Sequence, residues 1–191
     1  SAINKNIDIE KLYGAVTESV RAGWRRVKLY FMIGLPGEKD EDVAAIADIV
    51  NRMSDIGRVV DGKPVAVAVS VNGFVPKPHT PFQYEGMDAI ESLERKKELL
   101  RRGIRSRRVE LSFHSFQTGF LESVFSGGNR RLSAVIEEAW RAGARFDGWK
   151  ECFKPDLWKA AFEKSGIDPH FYATRQRSSG EILPWSFISI K

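Results

Sequence analysis

Arg26–Asp40 reads RVKLYFMIGLPGEKD, an apolar run broken by Gly34, Pro36 and Gly37 and followed at once by acidic residues. That order predicts a strand, a tight loop and a helix start. Val65–Phe82, VAVAVSVNGFVPKPHTPF, repeats the plan with a second strand and a Pro-rich loop. Two such units predict an α/β fold with both loops at one edge of a parallel sheet, where ligands bind in such proteins.

Outward from this pair, Asp8 is the expected N-cap of a first helix with Leu12, Ala15, Val16, Ser19 and Val20 on its inward face and Gly23 at its end. The strand Val27–Ile33 is apolar enough to predict burial on both faces. Glu38, Asp40, Glu41 and Asp42 favour a helix N-terminus, and Val43, Ile46, Ala47, Val50 and Met53 make its stripe. Ile56–Lys63 reads as a surface connection. In Val65–Val71 the valines alternate with Ala66, Ala68, Ser70 and Asn72, which predicts one face under helices and one facing a cramped, more polar interior. Lys28, Tyr30 and Met32 are expected on that second face. Gly73–Gly86 is held in shape by Pro76, Pro78 and Pro81. A helix is expected from Asp88 to about Ser106, then a short strand Val109–Phe113.

From Ser115 the pattern changes to short helices. Their stripes are Phe116, Phe120, Leu121 and Val124; Leu132, Val135, Ile136, Ala139 and Trp140; and Leu157, Trp158, Ala161 and Phe162. The aromatic residues between Phe146 and Phe162 read as core, and Phe171, Tyr172, Trp185 and Phe187 predict a packed C-terminal segment. The domain division expected is 1–114 for the α/β part and 115–191 for a helical extension.

The chain has 191 residues, a formal charge of +5, 42% hydrophobic and 29% charged residues, the composition of an ordinary globular protein. Cys152 is the single cysteine, which excludes intrachain disulfides and any Cys-rich metal site built from this chain, and fits a reducing, cytoplasmic setting. There is no bilayer-length apolar run and no signal-peptide pattern, so no membrane partner is expected. The start SAINKN lacks a methionine, as an excised piece of a longer protein would. No phosphate cradle is expected at Gly34–Glu38, which lacks the Lys-Ser/Thr of a P-loop. His79, His114 and His170 read as structural. Lys97, Arg101, Arg105 and Arg108 follow a helical spacing, with Lys96, Arg102 and Arg107 nearby; a solvated helix face is the plain reading and RNA contact the sharper one.

KLYFMIGLPGEKDEDV followed by VSVNGFVPKPHTPFQY closely resembles the later strands of the radical S-adenosylmethionine core, in the B12-binding proteins related to the MiaB methylthiotransferases. INKN near the start, LESVFSGGNRRLSAVIEEAWRAGARFDGW and LPW near the end extend the resemblance over nearly the whole chain. It implies the fifth and sixth strands of a partial, TIM-like (β/α)6 barrel. It also implies that Met32, Ile33, Gly34 and Leu35, with Asn72, Gly73, Phe74 and Val75 from the next strand, hold the adenine end of S-adenosylmethionine. The family's 4Fe-4S cluster, which reductively cleaves S-adenosylmethionine, needs Cys-x3-Cys-x2-Cys, absent here, so the resemblance implies an inactive fragment carrying no cofactor itself. Cobalamin is left open as a cofactor of the parent. In SGGNRRL, Gly127 and Asn129 stand where relatives often have Arg and Asp. Two readings follow: a fragment of a radical S-adenosylmethionine enzyme acting on RNA or tRNA, or a noncatalytic RNA- or protein-binding module using the basic helix 88–108. An open sheet edge predicts a homo-oligomer.

Overall fold

Strand β1, Arg26–Ile33, pairs in parallel with β2, Ala66–Gly73, in the register Lys28↔Ala68, Tyr30↔Ser70, Met32↔Asn72 and Ile33↔Gly73. Strand β3, Val109–Phe113, joins the other side of β2, also in parallel, giving the order β1-β2-β3. The chain is therefore α/β with a parallel sheet. This computed structural model describes residues 7–189; INKN, at positions 3–6, lies outside the described residues.

One unit runs to Gly73 and resumes at Glu91–His114; the other takes Phe74–Ile90 and continues from Ser115. In the first, Val65, Val67, Val69 and Val71 are at most 1% exposed, together with Ile33, so this is the helix-covered face. Lys28, Tyr30 and Met32 share the opposite face with Ala66, Ala68, Ser70 and Asn72, as the alternation of a strand requires. β1 is not buried on both faces as its composition predicts: Tyr30 is 68% and Met32 41% exposed.

Helix α1, Ile9–Arg21, starts where Asp8 accepts the N–H groups of Glu10 and Lys11, at 3.0 and 3.3 Å. It ends in a Schellman pair, Gly23 donating to Val20 and Trp24 to Ser19, with Gly23 at φ +94°. Tyr13, not the exposed Ala15, joins Val16 and Val20 on the inward face. The guanidinium of Arg52 lies 3.9 Å from the centre of the Tyr13 ring and binds both carboxylate oxygens of Glu10.

Helix α2, Asp40–Asp61, overruns the surface connection expected at Ile56–Lys63. Ile56 and Gly57 are buried, because Gly57 brings the helix against the chain that returns into β2. A Cβ on Gly57 would stand 2.2 Å from the Lys63 carbonyl oxygen, so only glycine permits this last turn. The polar residues of α2 that are buried all have partners. Asn51 donates to the Gly103 carbonyl at 2.8 Å and accepts the Arg105 N–H at 3.0 Å, and Ser54 pairs with Val65 and Ser106. Helix α3, Ile90–Gly103, is shorter than the expected Asp88–Ser106, since Asp88 accepts the Ala89 N–H before it and Asn51 holds the chain beyond it.

In the second unit, α4 (Phe116–Ser126), α5 (Leu132–Arg141), α6 (Pro155–Lys164) and the single turn α7 (His170–Ala173) enclose Leu121, Val124, Val135, Ala139, Trp158, Phe162 and Tyr172. Ile136 and Trp140 are about half exposed rather than inward, and Arg145 covers the Trp140 ring at 4.7 Å. Phe146, Trp149, Phe171 and Phe187 are likewise on the surface, while Trp185 is buried. Gln83 ties the Pro-rich loop together: its Oε1 accepts the Trp185 indole N–H at 2.7 Å and the His79 N–H at 3.1 Å.

Replacing Gly57 by Ala is expected to destabilise the first unit by about 1–3 kcal/mol, because backbone rather than a flexible side chain meets the new methyl. Gly14→Ala in α1, where a Cβ meets nothing within 4 Å, should instead stabilise by about 0.5–1 kcal/mol. Urea unfolding of the two variants distinguishes these signs.

Candidate functional site

The C-terminal ends of β1 and β2 lie side by side, and the loop that follows β1 is closed by its own acid. Gly34 takes φ +82°, and Leu35–Glu38 forms a turn with Pro36 and Gly37 at its centre. Gly37 is at φ +77° and the Glu38 N–H bonds the Leu35 carbonyl at 3.0 Å, the requirements of a type II turn. The turn returns the Glu38 side chain under the loop, where Oε1 accepts the Gly34 N–H at 2.7 Å. The Lys96 ammonium of α3 meets the same oxygen at 2.8 Å, and the two side chains are only 7% and 6% exposed. Lys96 is thus part of the loop's interior and not of a basic surface.

Around this lock sit exposed acids. Asp42 accepts the Lys39 N–H at the start of α2, and Asp40 accepts from Arg95 at 2.5 Å. The Arg95 hydrogen bond holds the Asp40 carboxyl below its ordinary value.

The eight residues singled out for adenine divide by environment. Met32 and Asn72 are paired neighbours on the exposed face, and the Asn72 amide has no hydrogen-bond partner among the described residues. Ile33 is fully buried beneath the sheet and reaches the rim only through its backbone, while Leu35 is half-buried. Gly34 and Gly73 both stand at the strand ends, but the Gly34 N–H is committed to Glu38. Phe74 and Val75 belong to the second unit, where the Phe74 ring is buried edge-on against Phe82 at 5.4 Å. Sequence reasoning gave Glu38 only a helix-end role and placed Lys96 beside the basic stripe, as part of a solvated face or an RNA contact. The pairing joins residues far apart in the chain, and no local spacing signals it.

The basic residues do not form one helical face. Lys97 and Arg101 lie on α3 and flank the Phe113 ring at 5.7 and 5.6 Å, whereas Arg105 and Arg108 follow the helix. Arg102 pairs with Glu98 and Lys97 with Glu94. His79, His114 and His170 are all exposed, and His170 rests on Phe120 at 5.0 Å. Among the described residues no three His, Cys, Asp or Glu side chains converge as a metal site requires. No helix of the described residues is long and apolar enough to cross a membrane.

No family model matches the chain, and no solved structure matches it. It is 25% identical over 165 residues to the uncharacterized protein MJ0966 of Methanocaldococcus jannaschii, an alignment covering 86% of this chain and 35% of that protein. The chain thus spans about a third of the length of this curated relative.

Removing the Glu38 carboxylate is expected to be costly, since breaking one partner of a buried ion pair destabilises by about 3–5 kcal/mol. Glu38→Gln, Lys96→Met and the double variant should show a coupling of about 1 kcal/mol or more in denaturant unfolding. Independent effects would mean that the loop does not depend on the pair.

The Asp40–Arg95 bond predicts a pH effect of defined sign. A native carboxyl held below its unfolded value adds stability above the ordinary aspartate range, and this stability is lost as pH falls through the lowered native value. Asp40→Asn should flatten that acid limb of the stability curve.

Proposed function

We propose that this chain is the C-terminal part of a radical S-adenosylmethionine core, related to the B12-binding and MiaB-like proteins, followed by a helical extension. The observation that carries the proposal is the sheet itself. All-parallel sheets occur almost only with both faces covered. Here one face presents Lys28, Tyr30 and Met32 beside Ala68, Ser70 and Asn72, and the outer edge of β1 pairs with no strand among the described residues. A small and polar face of this kind suits the lumen of a partial (β/α) barrel whose remaining strands belong to the parent.

The residues present do not fit the 4Fe-4S cluster, since Cys152 is the single thiol, and no step is derived through it. When bound in the parent, the cluster supplies reductive cleavage of S-adenosylmethionine. The rim does suit the adenine end: Asn72 offers one donor and one acceptor, the pair that the N6 and N7 edge of adenine takes. Gly34 and Gly73 keep side chains out of the way, and Met32 offers an apolar contact beside them. Cobalamin is proposed only for the parent, and the setting proposed is cytoplasmic.

RNA is the proposed substrate class, and a noncatalytic RNA-binding module is the second reading. One observation favours both: Arg101, Arg105, Arg107 and Arg108 are exposed and make no ion pair among the described residues. The open edge of β1 supports self-association of the isolated chain.

The chain as it stands should retain no cluster iron after anaerobic reconstitution, yet 1H–15N spectra should show adenosine-dependent shifts at Asn72 and Gly73, lost in Asn72→Ala. Stoichiometric iron with a brown absorbance band would refute the first expectation. Shifts indifferent to Asn72→Ala would remove the adenine assignment.

A further inference from the structure

The second unit carries a cleft of about 520 Å³ between α4 and α6, within the size range of small-molecule sites. Its walls are aromatic: Phe120 of α4, Trp158 and Phe162 of α6, and Phe153 from the preceding loop. The Trp158 indole N–H is already bonded to Asp147 at 3.1 Å, and its ring packs edge-on against Phe125 at 5.4 Å. Trp158 therefore offers the cleft ring surface without an unsatisfied polar group. His170 rests on Phe120 and is held through its backbone N–H by Asp168 at 2.9 Å, which fixes the far wall.

Charge at the mouth is one-sided. Asp156, Glu163 and Asp168 line it against the one ammonium of Lys159. Asp156 and Glu163 make no ion pair among the described residues, although Lys159 stands between them on the same helix. Aromatic faces carry negative potential and attract cations most strongly where water is excluded. A cleft of aromatic rings under uncompensated carboxylates thus has the same preference from wall to rim.

We propose that this cleft binds an organic cation, an ammonium or guanidinium group carried on an aromatic or alkyl body. The apolar body fills the space between Phe120, Trp158 and Phe162, and the charged group lies toward Asp156 and Glu163. The site shares no lining residue with the strand-end rim and stands or falls without the reading of that rim.

Three probes sharing one body separate charge from shape: phenethylammonium, 2-phenylethanol and phenylacetate, each titrated into the 191-residue chain and followed by 1H–15N spectra. Saturable shifts around Phe120, Lys159 and Ile167 are expected, with the amine tightest, the alcohol weaker and the acid weakest. Asp156→Asn combined with Glu163→Gln, both on the exposed side of α6, should weaken the amine by about fivefold and leave the alcohol unchanged. Phe120→Ala should weaken amine and alcohol alike, and its spectrum reports whether the fold is kept. Equal binding of all three probes, no saturable shift with any, or an amine affinity indifferent to the charge variants would overturn the proposal.

Discussion

A single carboxylate oxygen, Oε1 of Glu38, receives both the Gly34 N–H and the Lys96 ammonium. Burying either ion alone would cost several kcal/mol, so neither side chain belongs here without its partner. Together they connect the end of β1, the turn before α2 and the middle of α3. Gly34 has φ +82°, a conformation that leaves its N–H pointing into the loop, and Glu38 is the group that satisfies it. The position of α3, which leads through Asn51 and Ser106 into β3, is thereby referred to the same point.

The second unit uses a different device for a similar need. The Pro-rich segment cannot form regular hydrogen bonds at Pro76, Pro78 and Pro81, so side chains and distant backbone supply them. Gln83 serves His79 and Trp185, the Arg177 N–H bonds the Tyr84 carbonyl at 2.7 Å, and the Met87 N–H bonds the Ala173 carbonyl at 2.8 Å. Gly86 is required because a Cβ there would stand 2.2 Å from the Thr174 carbonyl oxygen. Arg177 is buried and donates to the carbonyls of Tyr172 and Gly127, where glycine again leaves room for the guanidinium. Desolvation and the neighbouring Arg175 lower its affinity for its proton. This gives Gly127 of SGGNRRL a structural part, while Asn129 of the same stretch accepts the Arg131 N–H at 3.0 Å.

Periodicity made the strands legible, because Val65, Val67, Val69 and Val71 alternate strictly and the β3 segment lies between clear breaks. The parallel pairing followed from the repeated strand-loop-helix plan, and the shared face of Lys28 and Ala68 from the alternation. What periodicity could not carry were the places where one backbone approaches another. Gly57 looks like a helix breaker in the chain, yet in space it is a contact residue that lets α2 continue. Lys96 looks like one of a run of surface cations, yet in space it is buried and paired with Glu38. Large aromatic residues misled for the opposite reason: Trp140 and Phe171 sit beside inward positions but are half exposed, with Arg145 and Arg175 lying over their rings. Of the rim, the shared face of Met32 and Asn72 was legible from the alternation of the two strands, whereas the register that pairs them was not. The commitment of the Gly34 N–H was not.

That commitment decides what the rim can do. A strand-end loop with free amides suits anions, as helix N-termini do. Here the nearest amide is answered by Glu38, with Asp40 and Asp42 just beyond it, so the loop is unsuited to a phosphate group. Under the proposed adenine reading, recognition at this edge would fall to a neutral polar group, and Asn72 is exposed at the end of β2. The sheet face below it points the same way. A helix layer would require branched apolar side chains opposite Val67 and Val69, yet that side carries Ala66, Ala68 and Ser70. Small side chains leave volume above the strands, and a face built to leave volume serves a cavity better than a packed layer.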